Sequence, residues 1–167
     1  MIRKNKLYER PRKAFEKHRI EEENLLAKKY GLKNKREIWK SLAKTDYIRK
    51  RAMALAKSSV DEQDIFFNKL RNIGLKISSI ADVLDLKVED LLERRLSTIV
   101  EKKRLANSIK HARQMIVHKK ILINEKVVNS PSYIVHVFEE NTIRVKEGKL
   151  KAEEKKDSYA KEETLTQ

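Results

Sequence analysis

Chemistry in this chain has to come from its cations. Of 167 residues, 40 are Lys or Arg and 25 are Asp or Glu, which gives a formal charge of +15 at pH 7 and a pI of about 9.9. There is no cysteine, and there are only four histidines and three glycines. Without cysteine, a thiolate nucleophile and a cysteine-bound zinc are excluded. His111 and His118 stand seven residues apart and share a helix face, but no Cys, Asp or Glu completes a ligand set at the right spacing. No metal and no cofactor is therefore expected, and the two imidazoles are assigned to packing or to hydrogen bonds with sugar and phosphate. The sequence offers neither a Gly-rich phosphate loop nor a nucleophile–base pair, so neither covalent chemistry nor a small-molecule substrate is expected. What remains is neutralisation of a polyanion.

The charge is concentrated. Residues 1–50 hold 17 basic and 7 acidic side chains, 51–85 hold 5 and 5, 86–145 hold 12 and 7, and 146–167 hold 6 and 6. The first basic segment supplies Arg10, Arg12 and Lys13, then Lys33, Asn34, Lys35 and Arg36, then Arg49, Lys50 and Arg51. The run from Lys33 to Arg36 follows Tyr30-Gly31-Leu32, a helix stop, and so opens the next helix with cations where the dipole favours anions. A local conflict of that kind points to a function outside the helix. Tyr8, Trp39, Tyr47 and Tyr133 raise the question of base stacking. Trp39, with Ile38 and Leu42, falls on an apolar stripe and reads as packing, whereas Tyr8, in a basic flank before Pro11, reads as an RNA contact.

The second basic segment is positioned by recognisable elements. Val88, Leu91, Leu92, Leu96, Ile99 and Val100 recur at helical spacing behind Glu89 and Asp90, which predicts one amphipathic helix with Arg94 and Arg95 on its polar side. A basic loop, Lys102-Lys103-Arg104, leads to a second helix with Asn107 or Ser108 as N-cap. Ile109, Ala112 and Ile116 form its inner side, and Lys110, Arg113 and Gln114 its outer side. The free N–H groups at its start attract anions, so Asn107, Ser108, His111, Arg113 and Gln114 are expected to meet phosphate. His118, Lys119 and Lys120 extend the cationic surface. The rhythm then becomes extended: Ile121-Leu122-Ile123 and Val127-Val128 flank a turn at Asn124-Glu125-Lys126, with Lys126 a further phosphate contact. A two-residue type I′ turn and a three-residue turn through Lys126 both remain open, because Glu is costly at positive φ. Pro131 interrupts the extended run, which resumes at Tyr133-Ile134-Val135 and at Thr142-Ile143-Arg144-Val145. The fold class is α+β.

Four regions follow: a basic N-terminal helical arm over 1–45, a helical scaffold over 46–87, an RNA-binding module over 88–145, and a mixed-charge tail over 146–167 that reads either as disordered or as a lone solvated helix. The arm, cationic and poor in apolar residues, is expected to take a fixed path only on RNA. Ile65, Phe66, Phe67, Leu70, Ile73, Ile77, Ile80, Val83 and Leu84 make the middle the scaffold. No apolar run approaches the roughly 20 residues of a membrane span, and MIRKNK lacks the apolar core of a secretory signal. No membrane partner and a cytoplasmic location are expected.

Two segments carry a family resemblance. LERRLSTIV, RLANSIKHARQMIVHKKI and VVNSPSYIV resemble the RNA-binding domain of small-subunit ribosomal protein four in its archaeal and eukaryotic-cytoplasmic form. YERPRKAFEKHRIEEENLLAKKYGLKNKREIWK, Tyr8 to Lys40, looks like the N-terminal helical arm of the same family. The resemblance spans roughly residues 8–145, more loosely between Thr45 and Leu84. Where bacterial members have His-Gly and Asn-Gly, this chain has His118-Lys119 and Asn124-Glu125. The resemblance implies a structural constituent of the small ribosomal subunit that binds rRNA at a multi-helix junction, acts early in assembly, and lines the channel where mRNA enters. The implied partners are small-subunit rRNA, neighbouring small-subunit proteins and mRNA. Two other classes compete: a non-ribosomal pre-rRNA assembly factor built on the same module, and a fragment of an RNA-modifying enzyme. The second lacks a sheet domain to present a catalytic residue.

Overall fold

A computed structural model describes residues 7–146. The tail expected from residue 146 onward therefore lies, from residue 147, outside the described residues. Five helices build the first part of the chain: α1 (Lys17–Lys29), α2 (Lys35–Leu55), α3 (Val60–Ile73), α4 (Ile80–Leu84) and α5 (Val88–Glu93). Helix α3 stops because Gly74 adopts φ +91 and its N–H turns back to the Arg71 carbonyl at 2.8 Å. Helix α4 starts on a capping box in which Ser79 and Asp82 satisfy each other's backbone N–H. Helices α2 to α5 close on one core containing Ile48, Ala52, Phe66, Phe67, Leu70, Val83 and Leu91.

The rest of the chain forms α6 (Leu96–Lys102), α7 (Ile109–Val117), β1 (Ile121–Ile123), β2 (Lys126–Val127), α8 (Val137–Glu140) and β3 (Arg144–Val145). The strands make a small antiparallel sheet in the order β2-β1-β3. A second core unites Leu96, Ile99, Val100, Ala112, Ile116, Ile121, Val135 and Ile143, so the two helices and the sheet share one apolar interior. The fold is α+β, with a helical part and a small helix–sheet module.

Two local expectations change, and one left open is decided. The single helix foreseen from Val88 to Val100 is two, α5 and α6, because Arg94 and Arg95 leave the helix to pair with a distant segment. The Arg94 carbonyl accepts from Val135 N–H at 3.0 Å, and Leu96 N–H donates to the Tyr133 carbonyl at 2.8 Å. The extended run Tyr133–Val135 is consumed by that pairing as one isolated bridge, Arg95 to Ile134. The hairpin turn is the two-residue form: Ile123 pairs Lys126, with Asn124 at φ 48 and Glu125 at φ 63.

Helix α2 runs unbroken through position 45, and Ile48 and Ala52 in its second half belong to the helical core. Arm and scaffold therefore share one helix. Helix α1 also has a path set within the protein. Buried Glu23 accepts from Trp39 Nε1 at 2.9 Å and Arg19 Nη1 at 2.8 Å, and Lys35 stands 3.2 Å away. Burial pushes the Glu23 carboxyl up, but the bonds from Trp39, Arg19 and Lys35 outweigh it and hold its pKa below the ordinary value.

Candidate nucleic-acid interface

The start of α7 is capped and polar. Ser108 is the N-cap, its Oγ accepting from His111 N–H at 3.2 Å. His111 folds back so that Nδ1 accepts from Asn107 N–H at 3.4 Å. Asn107, Ser108, Lys110, His111 and Gln114 are exposed around this end. The turn between α1 and α2 lies against it, since a Cβ on Gly31 would come within 2.8 Å of Ile109. Lys33 and Asn34, exposed two and three residues beyond Gly31, are thereby carried to the start of α7.

Both module helices end in a cation held at positive φ: Arg104 at φ 56 just past α6 and Lys119 at φ 58 just past α7. Gly or Asn is preferred there, and a bulky residue costs about 1 kcal/mol. Arg104, His118, Lys119, Lys120 and Lys126 are all exposed. Lys102 and Lys103 are exposed but engaged, Lys102 with Glu93 at 2.9 Å and Lys103 with the Glu140 carbonyl.

Four expected contact residues turn inward, a correction to the sequence reading. Arg95 is 4% exposed and donates to Glu37 Oε2 at 2.5 Å. Arg113 grips the same carboxylate twice, at 2.7 and 3.1 Å, and also meets the Gly31 carbonyl. Burial raises the Glu37 pKa, yet the bonds from Arg113 and Arg95 prevail and hold it at about 2. One acid on α2 thus fastens the helical part to two arginines of the module. Arg94 pairs Glu140 at 2.5 Å and donates to the Val135 carbonyl at 3.1 Å, and Arg49 donates to the Leu86 carbonyl at 2.5 Å. Each satisfies a group that only the tertiary fold brings near.

The remaining expected residues divide. Arg10, Arg12, Lys13, Arg36, Lys50 and Arg51 are exposed, while Lys35 is tied to Glu23. Tyr8 packs on Trp39, with ring centroids 6.0 Å apart and planes at 36°, so it is part of the docking of the N-terminal segment and not an open platform. Tyr133 is closed off likewise, its hydroxyl donating to Glu139 at 2.9 Å.

Lys40 and Lys44 were missed. With Arg36, Tyr47 and Arg51 they recur at three- and four-residue steps and share an arc of about 80° on α2. This stripe runs for about 22 Å, and its five side chains are exposed. Their signal in the sequence is the helical period among the cations, not adjacency.

A family profile described as the S4 domain matches residues 94–141. Over 153 residues the chain is 42% identical to the small ribosomal subunit protein uS4 of Nanoarchaeum equitans, covering 86% of this chain and 84% of that protein. It is 40% identical over 148 residues to the uS4 protein of Methanococcus aeolicus, covering 84% of each. Against that of Methanocella arvoryzae it is 39% identical over 151 residues, covering 83% of this chain and 74% of the relative. Identity at this level runs through the helical part as well as the module, and the chain accordingly belongs to the uS4 family of small ribosomal subunit proteins and is not an enzyme.

Proposed function

We propose that this protein is a structural constituent of the small ribosomal subunit that binds small-subunit rRNA at a multi-helix junction. It acts early in assembly, beside neighbouring small-subunit proteins and the channel where mRNA enters, in the cytoplasm. The observation that carries the reading is the pair Arg104 and Lys119, exposed cations kept at positive φ where Gly would be more stable, one preceding the open start of α7 and the other just past its end. A-form grooves give side chains little access to base identity, so recognition of paired regions proceeds through backbone shape and charge. Binding of a small-subunit rRNA transcript, measured as a function of salt, is expected to give a log–log slope of magnitude above about 3, since each neutralised phosphate releases counterions. A flat salt dependence removes the reading. Co-sedimentation with mature small subunits distinguishes it from an assembly factor, which would leave with the precursor particle.

A further inference from the structure

Between α2 and α3 lies a groove of about 570 Å³ whose walls include Lys44, Tyr47, Arg51, Ile65, Phe66 and Lys69. Tyr47 is 61% exposed and Ile65 56%, so a ring face and an aliphatic face are left open to solvent side by side. The Arg51 guanidinium carbon sits 5.9 Å from the Phe66 ring centroid, and its Nη1 donates to the Tyr47 hydroxyl at 3.4 Å, which fixes a planar cation at the edge of the floor. Lys44, Arg51 and Lys69 line the groove against one carboxylate, Glu62. The groove also continues the α2 stripe, in which Tyr47 takes one turn of an otherwise cationic face.

We propose that this groove takes an unstacked nucleotide of single-stranded or bulged RNA, its base lying on Tyr47 over Ile65 and Phe66 and its phosphates held by Lys44, Arg51 and Lys69. The proposal rests on the RNA-binding reading above and adds to it a class of RNA. Paired RNA keeps its bases inside the stack and has nothing to offer an aromatic face, whereas a splayed nucleotide presents a base and a phosphate together. An apolar side chain from a protein would fill the floor and leave the surplus of positive charge unanswered.

The test uses the full chain with two probes of equal length, a single-stranded oligouridylate and a fully paired RNA duplex, read by fluorescence anisotropy. Tyr47→Ala is expected to weaken single-strand binding by about tenfold, the loss of roughly one stacking contact, with duplex binding and melting temperature unchanged. Tyr47→Phe is expected to restore it. Equal losses on both probes, or none on the single strand, overturn the proposal. A variant that binds both RNAs like the wild type yet fails to join purified small subunits assigns the groove to a protein neighbour and also overturns it. Failure of the wild-type chain to bind either RNA would instead remove the RNA-binding reading on which the groove depends.

Discussion

Replacing Glu37 with Gln removes the charge from an acid that fastens the helical part to two arginines of the module, while keeping its size. Two routes give the magnitude. Arg95 is 4% exposed, and stripping a buried cation of its partner costs about 3–5 kcal/mol. Independently, a pKa held at about 2 against an ordinary 4.5 corresponds to about 3 kcal/mol of linkage. The Arg113 side chain keeps 22% of its surface in water, which favours the lower figure. Urea denaturation at pH 7 is therefore expected to show a loss of about 3 kcal/mol. Because the folded-state pKa is depressed, the stabilisation is complete above pH 4.5 and disappears as pH falls toward 2. The gap between wild type and Glu37→Gln should hold from pH 7 to about 5 and close over that acid range. A loss below about 1 kcal/mol, or a gap that stays constant down to pH 2, would refute the clamp.

Arg113→Ala should destabilise the free protein by about 1–3 kcal/mol in the same denaturation assay, with rRNA affinity unchanged once folding is allowed for. A selective loss of affinity would return this side chain to the surface role read from sequence. Lys119→Gly is expected to raise stability by about 1 kcal/mol while weakening RNA binding and lowering the salt slope; a change of the same sign in both would show that its backbone geometry serves the fold alone. Ile116→Ala, at a position with no exposed surface in the module core, should cost roughly 2–5 kcal/mol of stability by leaving a cavity, and a melting temperature within a degree of the wild type would mean that α7 is rotated.

Sequence alone determined whatever depends on neighbours a few residues apart. Leu91, Leu92, Leu96, Ile99 and Val100 of the expected stripe are buried although the helix is broken between them, Val88 is half-buried, and Ser108 caps α7 because its Oγ reaches an N–H three residues on. Net charge likewise needs no geometry, and it was enough to point to a polyanion. Tertiary structure decided which cations are free. A solvent-facing period on a helix looks the same whether the opposite side meets water or a buried carboxylate, and Glu37 lies 58 residues from Arg95 and 76 from Arg113. The break between α5 and α6 has the same origin, since backbone groups of Arg94 and Leu96 are claimed by residues 133–135. The positive φ of Glu125 is set by strand register, which overrides the residue's own preference. Charge and periodicity are local sums, but the pairing of a charge is a three-dimensional fact.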